Sequence, residues 1–237
     1  MATLRYFLFG LLYSVGLFGF GCSPTPTAKL PQQAVPAQVM SLTADSLAMS
    51  ILPDSLQVAI EAARKGSICT LDRLIGVFKE QVWLVPNEAQ RILAWNQQPD
   101  LVRWMGIIEE EDSSEIEFFW QMLQDMRHRL TEKEVKFQLE DSWLGHCNLS
   151  DSRAFVKLRD REPTIYLCPA WLDQSPSHRI ATVLHELVHT FGYGHPRGTD
   201  FPQEALALAR DYPKLARRSP ENYESLVELY ICLFPVK

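Results

Sequence analysis

The sequence predicts an α+β domain that is mostly helical and contains a small sheet. Apolar residues recur at helical spacing along most of the chain, and this period changes to strand-like alternation between residues 135 and 168. A strongly patterned helix then follows from residue 176. Hydrophobic residues make up 46% of the 237 residues, which is enough for one sizeable domain with a buried core.

The helical part begins with residues 41–66, which have the pattern of one or two short helices broken at Pro53. A further helix is expected over 71–82 and another over 88–95. The clearest amphipathic helix carries apolar residues at i, i+3, i+4 and i+7 spacing, namely Ile116, Phe119, Trp120, Leu123, Met126 and Leu130.

Three short segments are expected to form strands of an antiparallel or mixed sheet. Apolar and polar residues alternate over 135–139, and β-branched or aromatic residues are enriched in 154–158 and 164–167. We expect 164–167 to be an edge strand, which could pair with an extended peptide.

The helix that follows the strands has clear start and stop signals. Ser175 is a good N-cap, Pro176 suits the first helical position, and Gly192 is placed to end the helix in a left-handed turn. Its expected buried stripe consists of Ile180, Val183, Leu184, Leu187, Val188 and Phe191.

This helix carries a candidate zinc site. His185 and His189 are four residues apart, so they lie one turn apart on the same helical face and can bind one Zn²⁺. Glu186 can take the proton of a zinc-activated water, which makes it the candidate general base for hydrolysis of a peptide bond. The segment continues through Gly192 to His195, a spacing typical of metzincin peptidases, although no Met follows Met126 to provide their downstream Met-turn.

Residues from about 100 to 230 also resemble the deuterolysin and peptidyl-lysine metalloendopeptidase family of zinc peptidases, the aspzincins. The resemblance rests on Val-Arg-Trp-Met-Gly at 102–106, Thr-Ile-Tyr-Leu-Cys-Pro-Ala-Trp at 164–171 and the zinc motif at 185–189. Matching positions follow in the same order at Leu208, Ala209, Pro213, Ala216, Asn222, Tyr223 and Glu224. The resemblance implies a zincin-like fold and a catalytic zinc.

The resemblance leaves the third zinc ligand open. The family uses an Asp in a Gly-Thr-x-Asp stretch with a Tyr-Gly shortly after, whereas here Gly198-Thr199-Asp200 is one residue shorter and has no Tyr-Gly after it. The third ligand is therefore His195, Asp200 or Glu204, in that order of preference. Because the family tyrosine is missing, Tyr193, which stands between two glycines, is the candidate oxyanion donor.

The resemblance also implies a substrate-binding role for two acidic residues. Acidic residues of the C-terminal segment hold a substrate lysine in some members, and the matching positions are Glu221 and Glu224. The alternative is an exposed acidic start of a helix.

The N-terminus predicts export from the cytoplasm. Arg5 and the apolar run after it indicate a signal peptide over 1–21, ending before Cys22 in a pattern that resembles a bacterial lipoprotein signal. Lipidation of Cys22, a flexible linker over 22–40 and a peptidase domain over 41–237, with 41–100 its helical N-terminal part, would place the protein on the bacterial cell envelope, facing the periplasm or the exterior. A plain cleaved signal and an uncleaved anchor are the alternatives.

Four further cysteines would then lie in an oxidising compartment. Their even number suggests two disulfides with three possible pairings, or else four buried thiols. The family resemblance implies the pair Cys147–Cys168, which leaves Cys69 with Cys232.

The hypothesis from the sequence is a monomeric, membrane-tethered zinc metalloendopeptidase acting on peptides or proteins. Its net charge of −6 argues against nucleic acid as a partner. One alternative is a non-catalytic binding or structural lipoprotein on a degenerate peptidase scaffold. The other is a zinc hydrolase that acts on cell-wall peptides.

Overall fold

A computed structural model of the chain describes residues 54–140, 147, 153–157, 161–196 and 202–233. All of them belong to the second of the two units into which the chain divides, residues 49–237. The predicted signal peptide, Cys22 and the linker lie outside the described residues. None of the helices in the described part is long and apolar enough to span a bilayer. The elements are α1 (Asp54–Phe78), α2 (Glu88–Asn96), α3 (Pro99–Met105), α4 (Ser114–Thr131), β1 (Lys136–Leu139), β2 (Ala154–Val156), β3 (Thr164–Leu167), α5 (Pro176–His189), α6 (Pro202–Asp211), α7 (Pro213–Ala216) and α8 (Pro220–Val227).

Helix α1 differs from the prediction, because it runs without interruption where the sequence suggested that one helix ends and another begins. Gly66 lies where α1 crosses α5, and a Cβ at this position would overlap the side chain of Ile180. The neighbouring Ser67 is buried and donates to the carbonyl of Ala63 at 2.9 Å. The predicted break between 66 and 71 is therefore wrong: the small residues allow a close helix crossing.

The predicted amphipathic helix is confirmed as α4, and it packs against α1. Trp120 is the exception to the predicted stripe, since it is only partly buried and its ring stacks on Trp83 at 5.0 Å. The buried residues of the stripe are Ile116, Phe119, Leu123, Met126 and Leu130.

The sheet is mixed and has the strand order β1-β3-β2. Strand β3 lies in the middle, parallel to β1 with Phe137 opposite Ile165, and antiparallel to β2 with Phe155 opposite Tyr166. The prediction that 164–167 is an edge strand is therefore wrong. Its residues are buried on both sides of the strand, which is typical of a central strand, and among the described residues β2 is the edge that packs against α5.

Helix α5 has the predicted ends. The Ser175 hydroxyl accepts from the His178 N–H at 3.3 Å, Pro176 is the first residue, and Gly192 has φ +87°. The helix packs against α1 on one side and α8 on another. Phe191 is only partly buried, and the guanidinium of Arg129 lies 3.7 Å from the centroid of its ring.

The four cysteines form two pairs at disulfide distance. Cys69 of α1 is joined to Cys232, which follows α8, with a Cα–Cα distance of 5.8 Å. Cys147 is joined to Cys168, at the end of β3, with a Cα–Cα distance of 5.4 Å. The first pair fixes the chain after α8 to α1.

Candidate metal centre

Three histidines converge at the C-terminal end of α5. The ring centroids of His185 and His189 are 5.1 Å apart, as expected for two residues one turn apart on a helix. His195 follows the Gly192 turn, and its centroid lies 5.3 Å from that of His185 and 4.5 Å from that of His189. Ligand atoms of all three lie within 4.8 Å of one another, so the group could hold a metal ion.

Each of the three rings has a hydrogen-bond partner at Nδ1. His185 Nδ1 lies 2.8 Å from a carboxylate oxygen of Glu224, and His189 Nδ1 lies 2.7 Å from the carbonyl oxygen of Tyr193. His195 Nδ1 is hydrogen-bonded to Glu221. Because carboxylates and carbonyls accept, the neutral form of each ring carries its proton on Nδ1, which leaves Nε2 to bind a metal. Three imidazoles and one open position are a common donor set for catalytic zinc.

Both carboxylates of this arrangement come from α8. Glu221 and Glu224 are three residues apart, so one face of α8 contacts two of the three histidines. Burial raises the pKa of Glu221, but its hydrogen bonds to His195, to its own backbone N–H and to Ser219 hold the pKa below the ordinary value. Both carboxylates are hydrogen-bonded to imidazole rings, and their role in holding a substrate lysine stays a prediction.

The two helix-borne histidines have opposite protonation preferences when no metal is bound. Burial lowers the pKa of His185, but the hydrogen bond and charge of Glu224, with further carboxylates nearby, raise it to about 9. Burial and the charge of His185 lower the pKa of His189 to about 4. A metal must therefore displace a proton from His185 near neutral pH, but not from His189.

Glu186 lies beside the first histidine and is 6% exposed. Its Oε2 atom is buried and has no hydrogen-bond partner among the described residues. Burial raises the pKa of this carboxyl to about 7, against the charges of His185 and His195. A buried acceptor without a partner fits a group that receives a proton from an incoming molecule.

The turn after α5 is held from α4. Arg129 donates to the carbonyl of Thr190 at 3.0 Å and to its hydroxyl at 2.8 Å. Tyr193 uses its carbonyl for His189, and its ring packs edge-on against Phe118 with 6.0 Å between centroids. The proposed role of the Tyr193 hydroxyl as an oxyanion donor stays a prediction.

Asp200 and Glu204 are the other two candidates for the third ligand. Asp200 lies outside the described residues. Glu204 is in α6, and within the described part of the chain it does not belong to the group that could hold a metal. The structure thus brings His195 to the helix pair, and its role as a ligand stays a prediction.

Sequence reasoning found the histidines and both carboxylates of α8, but not that the carboxylates contact the histidines. The spacing of three residues places Glu221 and Glu224 on one face without showing what that face packs against. The contribution of Arg129 was missed altogether, because it lies 61 residues from Thr190 and no local pattern connects the two.

No protein-family model matches the chain, and no curated protein matches it. Among solved structures, a zinc peptidase from Grifola frondosa matches with a TM-score of 0.57 and 20% sequence identity, over 74% of this chain and 96% of that chain. At this identity the match shows a common fold. The chain therefore has a mostly helical architecture with a small mixed sheet, similar to the fold of a zinc peptidase.

Proposed function

We propose that this protein is a zinc-dependent metalloendopeptidase in which Glu186 is the general base. One observation carries the proposal: three imidazoles converge with every Nδ1 hydrogen-bonded to an acceptor, next to a buried carboxylate oxygen that has no partner among the described residues. The zinc-peptidase fold supports the same conclusion.

The residues of the site have distinct roles in this proposal. His185, His189 and His195 would hold the zinc through Nε2. When bound, zinc supplies a Lewis acid that polarises the scissile carbonyl and makes a water molecule acidic enough to lose its proton near neutral pH. Glu186 accepts that proton, and burial makes it a stronger base than an exposed carboxylate. The same carboxyl group can then return the proton to the leaving amine.

The substrate would lie along the sheet as an extended peptide. Strand β2 packs against α5, the helix that carries His185 and His189, and is an edge strand among the described residues, so an extended peptide could add to the sheet on the β2 side. This assigns to β2 the role that the sequence suggested for 164–167.

The test of this proposal is Glu186→Gln, which keeps the shape of the side chain and removes its basicity. Loss of a general base reduces hydrolysis by about 100- to 10,000-fold, and zinc content should stay equal to that of the wild type because Glu186 is not one of the three histidines. Activity is measured on a mixed peptide library and zinc by elemental analysis.

The matched control is Glu228→Gln, which makes the same change at an exposed position of the chain just after α8. It should cleave like the wild type. Hydrolysis by Glu186→Gln at the wild-type rate would contradict the assigned base, and a zinc-loaded wild type without peptidase activity would favour a binding protein.

A further inference from the structure

Helix α8 contacts the metal site without contributing a histidine to it. Its two acidic residues reach two different rings: Glu224 lies 2.8 Å from Nδ1 of His185, and Glu221 is hydrogen-bonded to Nδ1 of His195. The two histidines come from different elements, one from α5 and one from the segment after the Gly192 turn. One helix therefore contacts both parts of the site.

His195 needs such a contact more than His185 does. The side chain of His195 is 44% exposed and lies outside regular secondary structure, whereas that of His185 is 13% exposed on a packed helix. An imidazole on an exposed segment can rotate and can carry its proton on either nitrogen. A carboxylate at Nδ1 selects one ring orientation and one tautomer, with the lone pair on Nε2.

Glu221 is itself held in place. Its second carboxylate oxygen accepts from the buried hydroxyl of Ser219 at 2.8 Å, and its side chain is 10% exposed. Asn222, the next residue, is also buried and donates to the carbonyl of Ala205 at 2.8 Å. The start of α8 is thus fixed on both sides of the carboxylate that meets His195.

We infer that Glu221 and Glu224 are positioning residues for the zinc ligands, with Glu221 acting through His195 and Glu224 through His185. The inference rests on the proposed zinc site and assigns these carboxylates to ligand orientation instead of lysine binding. A substrate ammonium would have to compete with the imidazole N–H for each carboxylate, and Glu221 exposes little surface to a substrate.

The test is the zinc dissociation constant of Glu221→Gln and Glu224→Gln, measured by competition with a chromophoric chelator. The wild type and all variants are measured at one fixed pH, in the same buffer and with the same chelator. Each variant should bind zinc about 10- to 100-fold more weakly than the wild type. Glu88→Gln, the same change at an exposed position on α2, is the control and should bind zinc like the wild type.

Zinc affinities of the same substitutions in a His195→Ala variant identify the imidazole ring through which each carboxylate acts. In His195→Ala, adding Glu221→Gln should cause no further loss of zinc affinity, whereas adding Glu224→Gln should still weaken binding. Thermal unfolding of the metal-free variants separates a positioning role from a role in folding. A purely structural role of Glu221 would lower the melting temperature, and its effect on zinc affinity would not depend on the presence of His195. If Glu221→Gln does not fold, the more exposed Glu224 provides the same test on His185, in a wild-type and a His185→Ala background.

The outcomes distinguish the inference from the proposed function. Zinc affinity unchanged in both variants, with altered cleavage next to lysine, would overturn the inference and leave the peptidase intact. A loss from Glu221→Gln that persists in His195→Ala would also overturn it, because Glu221 would then not act through His195. A wild-type protein that binds no zinc at all would overturn both this inference and the proposed function.

Discussion

The two parts of the metal centre are built differently. His185 and His189 project from a buried helix, and their relation follows from the helical period alone. His195 lies on an exposed segment beyond the Gly192 turn, and its ring is hydrogen-bonded to Glu221, which is 26 residues away in the sequence. The comparison shows that local periodicity determines the helix-borne half of the site and tertiary contacts determine the other half.

Removing the proposed zinc ligands from the two halves should give the largest effects. Structural zinc sites bind the ion with a total free energy of about 10–16 kcal/mol. Shared among the ligands of a site, this gives a cost of about 3 kcal/mol for the loss of one ligand, or roughly 100-fold in affinity. His189→Ala should lose more than His195→Ala, because the latter keeps the preorganised helix pair. Isothermal titration with zinc measures both, and His128→Ala, an exposed position on α4, is the control.

Equal losses in the two variants would show that the helix pair is not preorganised. Zinc binding by His195→Ala at the wild-type level would place the third ligand elsewhere, with Asp200 as the first alternative.

The pH dependence of zinc binding should show the next largest effect. His185 has a raised pKa of about 9, so its proton is present below that pH and zinc must displace it. Affinity should therefore rise by about tenfold per pH unit from neutral pH and level off above pH 9. Because Glu224 causes the raised pKa, Glu224→Gln should give a shallower slope. A wild-type affinity that does not change with pH would contradict the pairing of His185 with Glu224.

The turn that separates the two halves should give the smallest effect. Gly192 has φ +87°, so Gly192→Ala should lower the free energy of unfolding by about 1–2 kcal/mol through backbone strain. Apart from its two chain neighbours, no described residue has an atom within 4 Å of a Cβ at this position, so no steric clash with the described residues adds to the cost.

Gly76→Ala is the matched control, because it is equally open but lies inside α1. It should leave stability unchanged or raise it by up to about 1 kcal/mol, since Ala has the higher helix propensity. Urea unfolding of the metal-free protein measures both variants. An equal increase in the free energy of unfolding for Gly192→Ala and Gly76→Ala would contradict the left-handed turn at Gly192.

The sequence predicted the elements whose causes are local. The caps and stripe of α5, the amphipathic α4 and the three strands follow from spacing over a few residues. The continuity of α1 was missed because Gly66 is explained only by Ile180, on a helix more than 100 residues later. The central position of β3 was missed for the same reason, since strand order depends on pairing between distant segments.

The same limit applies to the site. His185, Glu186 and His189 could be placed together because their geometry is that of one helix. The contact partners of Glu221 and Glu224 could not be assigned, because the packing of α8 on α5 has no signature in either segment.

X-ray absorption at the zinc edge of the loaded wild type tests the zinc site most directly. We predict three imidazole nitrogens at about 2.0–2.1 Å and one oxygen from solvent, with one imidazole lost in His195→Ala. Two imidazoles with two or more oxygens in the wild type would contradict the account, because a carboxylate would then hold the place assigned to His195.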